Sequence, residues 1–326
     1  MMKEPGRYAD AAAVVVILIL TAIAGWDLIA GGMVAGMDSA TQFYPWYSYL
    51  GESLRSLDIP GWNPHQFSGT PFAADPLSGW TYLPAMLFFT LLPLELAAWA
   101  FLISHLLMAG LLIYALARTL ELNVPGALLA AVAYEFASVL YVRNTCCVAF
   151  AGVVVWLPLA ILGAELAIRS TSWLNRALWC VLSGLALSQI LASWLGQGAY
   201  YGLLALGGYV AYRTLVSPPE NVRGLWGRVL ALVFIGGLVL AFGFGLAAAG
   251  IVPRLEYNEL SNLAGGYTVS PENPSGEWDV NEWALLIKPG IWYGGAAVLA
   301  LALAALLLWP THFAVPYLAF LSLGAL

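Results

Sequence analysis

Asp38 is the first residue whose type and position could do chemistry. It follows directly on an apolar run long enough to cross a bilayer, and a carboxylate at such a mouth is partly desolvated, able to take a proton or to bind a cation. It lies in Met37-Asp38-Ser39-Ala40-Thr41-Gln42, with Gln42 one helical turn further on. A second polar stretch, Gly61-Trp62-Asn63-Pro64-His65-Gln66-Phe67-Ser68-Gly69-Thr70-Pro71-Phe72-Ala73-Ala74-Asp75-Pro76, supplies Trp62, His65 and Asp75. Its density of Gly, Pro, Asn and Ser predicts a structured loop rather than a helix. Taken alone, Asp38 reads more readily as a solvated loop acid than as a catalytic one. Trp62 and Trp80 read as interfacial anchors or as flat faces for a ligand.

Polar residues inside apolar runs form a second group. Glu135 and His105 each interrupt a lipophilic stretch, where an unpaired charge is costly. They could pair with each other or with another helix, serving assembly. Gln189 and Gln197 are cheaper to bury, and Gln197 falls at a turn between spans. Cys146, Cys147 and Cys180 show neither the even count of a disulfide framework nor the spacing of a zinc site, and read as packing residues. The chain has no Gly-x-x-x-x-Gly-Lys, His-Glu-x-x-His or Cys-x-x-Cys motif, so the usual signatures of soluble nucleotide, zinc-protease and redox sites are missing.

The elements that must position these residues are membrane helices. Of 326 residues 61% are hydrophobic and 9% charged, against about 25% charged in soluble domains. The net charge of -6 says little about partners, because orientation follows the positions of Lys and Arg. The pattern predicts an all-α polytopic membrane bundle, a single membrane domain over residues 1–326 with about nine spans. The first covers 9–31 and is retained rather than cleaved. The others cover 94–117, 124–142, 148–168, 174–195, 197–212, 229–252, 291–309 and 312–326. Between them, 82–118 would be about 55 Å long as one helix, too long for a simple crossing, so Pro84 and Pro93 predict a short interfacial or re-entrant piece ending near Leu92.

With the amino terminus in the cytoplasm, Lys3, Arg7, Arg118, Arg169, Arg176, Arg213, Arg223 and Arg228 lie inside. Arg55, Arg143, Arg254 and Lys288 lie outside, and eight against four supports that orientation. Two long external loops, 32–81 and 253–290, then share one face, and their convergence suggests one site. In the first, Phe43, Trp46, Tyr47, Leu50, Leu54 and Leu57 recur at spacings of three and four after Pro45, predicting an amphipathic helix in the interface with its aromatic rings at headgroup level. The last span stops at Leu326 with no polar segment after it, so the chain reads as truncated.

Asp38, Tyr44-Pro45-Trp46, Gly61-Trp62-Asn63-Pro64, Ser68-Gly69-Thr70-Pro71 and Asp75-Pro76 follow a first span in that order. The arrangement resembles the bacterial YfhO-like membrane protein family, which is assigned to the GT-C superfamily of integral-membrane glycosyltransferases. The resemblance continues in Trp156-Leu157-Pro158-Leu159 with Glu165, in Gly196-Gln197-Gly198-Ala199-Tyr200-Tyr201, and in Pro253 to Glu259 after a Gly-rich span. It covers most of the chain. Family members are longer, so this chain looks like an amino-terminal part or a short relative.

The resemblance implies a GT-C-like bundle in the bacterial cytoplasmic membrane that transfers a sugar from a polyprenyl-phosphate carrier to a cell-envelope glycan or lipid acceptor, with no role for nucleic acid. It assigns the catalytic carboxylate of the first external loop to Asp38, with Asp75 second. By the same position any divalent metal would fall to Asp38, although the loop has no Asp-x-Asp or Glu-x-Asp pair to support metal dependence. Inverting transfer needs a base for the acceptor hydroxyl and cations or hydrogen-bond donors for the departing phosphate. Arg143 and Arg254, each where a span emerges, fit the phosphate role or merely anchor span ends. His65, Gln42, Gln197 and Trp62 fit sugar or acceptor binding. The alternatives are a transporter or flippase for a lipid-linked or polar substrate, which the lack of a visible internal repeat disfavours, and a noncatalytic subunit of a membrane complex.

Overall fold

The computed structural model describes residues 5–30, 36–137, 140, 144–260 and 296–324. Eleven α-helices are named in chain order: α1 (Pro5–Ala30), α2 (Tyr44–Arg55), α3 (Leu83–Leu91), α4 (Leu94–Thr119), α5 (Val124–Glu135), α6 (Val148–Arg169), α7 (Trp173–Ser193), α8 (Gln197–Ala211), α9 (Gly224–Leu260), α10 (Ala296–Leu308) and α11 (Val315–Gly324). Strand structure among the described residues is one two-residue antiparallel ladder, Trp62–Asn63 with Thr70–Pro71. The protein is therefore an all-α bundle. Five helices, α1, α4, α6, α7 and α9, are long and apolar enough to cross a membrane. The remaining expected spans fall on the shorter apolar helices α5 and α8, the second continued by the π-helical turn Tyr212–Val216, and on α10 and α11, which run to the edges of the described residues.

The expected break before α4 is present. Pro84 sits in the first turn of α3, where its missing N–H has no partner to lose, and Pro93 precedes α4. Helix α6 is the centre of the bundle, with 78% of its most apolar stretch buried, against 17% for α9, whose outer face carries exposed Leu, Val and Phe. Lipid tails are as apolar as Leu, so helix contacts here depend on close approach at small residues. A Cβ built on Gly163 of α6 would lie 2.8 Å from the Ser183 amide of α7, and one on Gly243 of α9 would meet the Leu187 side chain at 2.6 Å.

Two prolines inside helices have a shared consequence. Proline offers no N–H to the carbonyl four residues back. Pro158 in α6 thus frees Val154, whose carbonyl accepts the Tyr134 hydroxyl of α5 at 2.7 Å. Pro253 in α9 frees Ala249, whose carbonyl accepts the Trp80 indole N–H at 3.0 Å. Each vacancy in a helix ladder is filled by an aromatic donor from another segment, as an apolar medium requires.

Polar ties divide the bundle into two ends. At one, Asp10 of α1 pairs with Arg118 of α4 at 2.7 Å, and Glu165, fully buried on α6, is held by Arg169 at 2.5 Å and Arg213 at 2.8 Å. Tyr209 donates a further bond to Glu165, and Phe313, before α11, lies under the Arg213 guanidinium. This is the arginine end. The other, the loop end, collects residues 36–82, the start of α6, the α7–α8 turn and the end of α9.

Candidate functional site

The loop end is built around α2. A π-helical turn, Ser39–Phe43, runs into it and widens the helix just where the Pro45 ring would otherwise meet the Thr41 carbonyl. The apolar stripe expected of this helix is real, but it faces the protein. Tyr47 and Leu50 are fully buried, and Tyr47 packs edge-on to Phe89 of α3 at 5.3 Å between ring centres. Gly51 permits that packing: a Cβ there would fall 2.0 Å from the Phe89 carbonyl. Leu57 lies outside the stripe, past the helix end, with a positive φ of 57° and 95% exposure. The aromatic side chains thus dock the helix onto α3 and α4 instead of anchoring it at headgroups.

The opposite side of α2 faces a cavity of about 840 Å³. Trp46, Tyr49 and Glu52, three residues apart, line it from α2; Glu95 and Trp99, four apart, line it from the first turns of α4. The loop closes it with His65 and Gln66, where Gln66 accepts the Trp46 indole N–H and the His65 ring stands edge-on to Tyr49. Tyr49 also donates to the Trp62 carbonyl at 2.6 Å, which ties helix to loop. Two carboxylates, an imidazole and three large rings make a surface that can accept hydrogen bonds from hydroxyls while covering an apolar ring face. The volume suits a small polar ligand.

His65 is the expected site residue that lines this cavity. Trp62 stands beside it, its indole resting over Gly69, where a φ of 112° and the 2.6 Å at which an added Cβ would meet that ring leave no room for a side chain. Gln42, half-buried in the π-helical turn, and Gln197, exposed at the start of α8 with its amide 3.5 Å from the Tyr201 hydroxyl, do not line it. Arg143 lies outside the described residues, as does 261–290 of the second expected loop.

Asp38 is exposed at the head of the π-helical turn, two residues before Ala40 at the cavity's edge. Its neighbours are sulfur: Asp38 Oδ2 lies 3.6 Å from Cys147 Sγ and 3.9 Å from Cys146 Sγ, and the two adjacent cysteines are paired as a disulfide, which departs from the packing role expected of them. Ser39 fixes the corner by donating to the Cys146 carbonyl at 2.9 Å. As dithiol, this trio is a donor set for a thiophilic cation; Mg²⁺ and Mn²⁺ prefer an all-oxygen shell, which one carboxylate and two sulfurs do not provide. Cys180 is buried, in keeping with a packing role.

Asp75 and Arg254 meet at a second place, between the loop and α9. Asp75 accepts the Leu77 N–H at 2.8 Å, and Arg254 donates weakly to the Ala74 carbonyl at 3.4 Å. Burial is the largest influence on the Asp75 carboxyl and raises its pKa; the Leu77 N–H and the charge of Arg254 oppose it. The cavity here is about 10 Å³, no larger than a water site. Together with the Trp80 bond to Ala249, this contact brings the first loop against the start of the second.

Glu135 and His105 do not pair with each other. His105 is fully buried on α4, its Nδ1 2.6 Å from the Phe101 carbonyl and its Nε2 2.6 Å from the Tyr82 hydroxyl. A carbonyl only accepts, so Nδ1 carries the hydrogen and Nε2 accepts the Tyr82 proton. Trp156 then donates to the Tyr82 oxygen at 3.2 Å, which completes a satisfied network. Glu135 bonds Thr21 of α1 through Oε1; its Oε2, buried against Gly110 of α4, has no hydrogen-bond partner among the described residues. Both residues hold helices together in the bundle interior.

Sequence reasoning missed Trp46 as a cavity residue, and it missed Tyr49, Glu52, Glu95 and Trp99 altogether. The available signal was spacing: positions 46, 49 and 52 share one side of α2, and Glu95 and Trp99 share one side of α4. No protein-family model, no curated protein and no solved structure matches the chain.

Proposed function

We propose that the protein is a membrane glycosyltransferase that moves a sugar from a polyprenyl-phosphate carrier to a cell-envelope glycan or lipid acceptor. The observation that carries the reading is the cavity between α2, α4 and the first loop, where Trp46, Tyr49 and Trp99 stand beside Glu52, Glu95 and His65. Sugars present an apolar C–H face and a rim of hydroxyls, and this lining offers both partners. The ordered motifs of the first loop supply the other support.

In this reading Asp38 takes the proton from the acceptor hydroxyl as its oxygen attacks the anomeric carbon, the carrier phosphate leaves with the bonding electrons, and Arg254 meets the charge that develops. The test uses the full chain in lipid nanodiscs with a panel of polyprenyl-phosphate sugars and envelope acceptors. Transfer is expected from at least one donor. Asp38→Asn is expected to reduce it at least about 100-fold while the protein stays folded, the scale of losing a general base. An inert panel with no donor binding would sink the reading. Full activity in Asp38→Asn, with loss in Glu52→Gln or Glu95→Gln, would move the base into the cavity.

A further inference from the structure

The arginine end holds a second large cavity, about 650 Å³, between the beginnings of α7 and α9. Arg176 and Arg223 stand in its wall with Asn221 and one acid, Glu220. Arg223 is turned by its own bond to the Glu220 carbonyl at 2.9 Å, and Arg176 donates through Nη2 to the Ser170 carbonyl at 2.6 Å. The Arg176 Nε is buried and has no hydrogen-bond partner among the described residues. A third guanidinium, Arg228, one turn along α9 from Gly224, donates to the Leu215 carbonyl at 3.1 Å and does not line the cavity. Two cations and one carboxylate line the cavity.

The rest of the lining is apolar and continues onto the bilayer face. Leu230 and Phe234 lie one turn apart on α9 and are 64% and 45% exposed; Trp173, 74% exposed, starts α7 at the depth where indoles favour the headgroup layer. A soluble anion would have no use for this wall. An amphiphile would use both parts, its phosphate between the guanidiniums and its first acyl carbons along Leu230 and Phe234. Positive ends of two helices add to the same field.

We propose that this cavity binds the phosphate headgroup of an anionic phospholipid from the leaflet at the arginine end. The site lies at the opposite end of the bundle from the aromatic cavity and stands whatever that cavity binds. Arginine rather than lysine suits it, because the planar guanidinium donates two parallel bonds to a phosphate.

The experiment is native mass spectrometry of the intact chain released from nanodiscs containing phosphatidylglycerol, phosphatidylethanolamine or their mixture, with inorganic phosphate as a competitor. Retention of phosphatidylglycerol over phosphatidylethanolamine is expected. Arg176→Gln with Arg223→Gln is expected to weaken retention at least tenfold, and Arg7→Gln, at an exposed position elsewhere, to leave it unchanged. Leu230→Trp, which fills the apolar wall and keeps every charge, is expected to reduce it as well, which separates loss of the site from failure to fold. Equal retention of the two lipids, or undiminished retention in the double variant, overturns the proposal. Displacement by millimolar inorganic phosphate overturns it too, because the site would then serve a soluble anion.

Discussion

Asp75 is held half-buried under the loop, and neither the Leu77 N–H nor the Arg254 charge offsets what burial does to its carboxyl, which stays above the usual carboxylate range. The folded state therefore binds this proton more tightly than the unfolded chain. The associated stability is complete below the ordinary Asp value and is lost as pH rises through that value and on through the raised one. Asp75→Asn keeps an oxygen for the Leu77 N–H and has no proton to lose, so relative to the variant the protein should lose stability as pH rises from the ordinary Asp value through the raised one. Thermal unfolding of both proteins in detergent, followed by tryptophan fluorescence across that range, measures it. Parallel profiles would show that Asp75 contributes no such linkage. At this scale the sequence marked Asp38, Asp75 and His65, because acids and histidines stand out in so apolar a chain. Glu52 and Glu95 are acids too, but on helices they read as solvated surface until the side of the helix they share with Trp46 and Trp99 is known.

Helices α6 and α9 were legible as apolar runs, and each contains a proline that composition alone marks as a defect. What the linear chain does not display is the donor that answers each one. Tyr134 lies 20 residues from Val154, and Trp80 lies 169 residues from Ala249. Such pairings depend on which helices become neighbours. The Trp80 bond has a direct consequence for the loop end, because it fastens the first loop to α9 at the turn that precedes Arg254. Trp80→Phe retains most of the packing and leaves the exposed Ala249 carbonyl without its indole donor, a loss of about 0.5 to 1.5 kcal/mol, the net scale of one hydrogen bond. Limited proteolysis should then cut the segment between Gly61 and Trp80 several-fold faster, with α6 and α7 still protected. Unchanged cleavage would mean that water replaces the indole. A contrasting result is expected at the other end. Glu165→Gln leaves Arg169 and Arg213 facing a neutral amide in the bundle interior and should cost about 3 to 5 kcal/mol, the scale of breaking a buried ion pair. Unfolding in denaturing detergent reads that loss, and a midpoint equal to that of the parent would show that the two arginines find other partners.

Across the whole molecule the chemistry divides between the ends. Rings, amides and acids gather at the loop end, while Arg118, Arg169, Arg176, Arg213, Arg223 and Arg228 gather at the other. That segregation is what the Lys and Arg count anticipated, since charges follow alternate turns of a helical hairpin series whether or not every span is complete. The number of full crossings was less legible: the helix of α5 ends at Glu135, whereas α8 runs on through the π-helical turn Tyr212–Val216, past the bound that hydropathy gives. We propose, from the positive-inside rule, that the arginine end faces the cytoplasm. To test it, Cys146, Cys147 and Cys180 are first replaced by Ser or Ala, and single cysteines are then introduced as Asp58→Cys at the loop end and Thr171→Cys between α6 and α7, both exposed positions. A membrane-impermeant maleimide should label Asp58→Cys in intact cells and Thr171→Cys only after permeabilisation. The reverse pattern would put the aromatic cavity on the cytoplasmic side, where a polyprenyl-linked donor displayed on the outer face cannot reach it, and the glycosyltransferase reading would fall with the orientation.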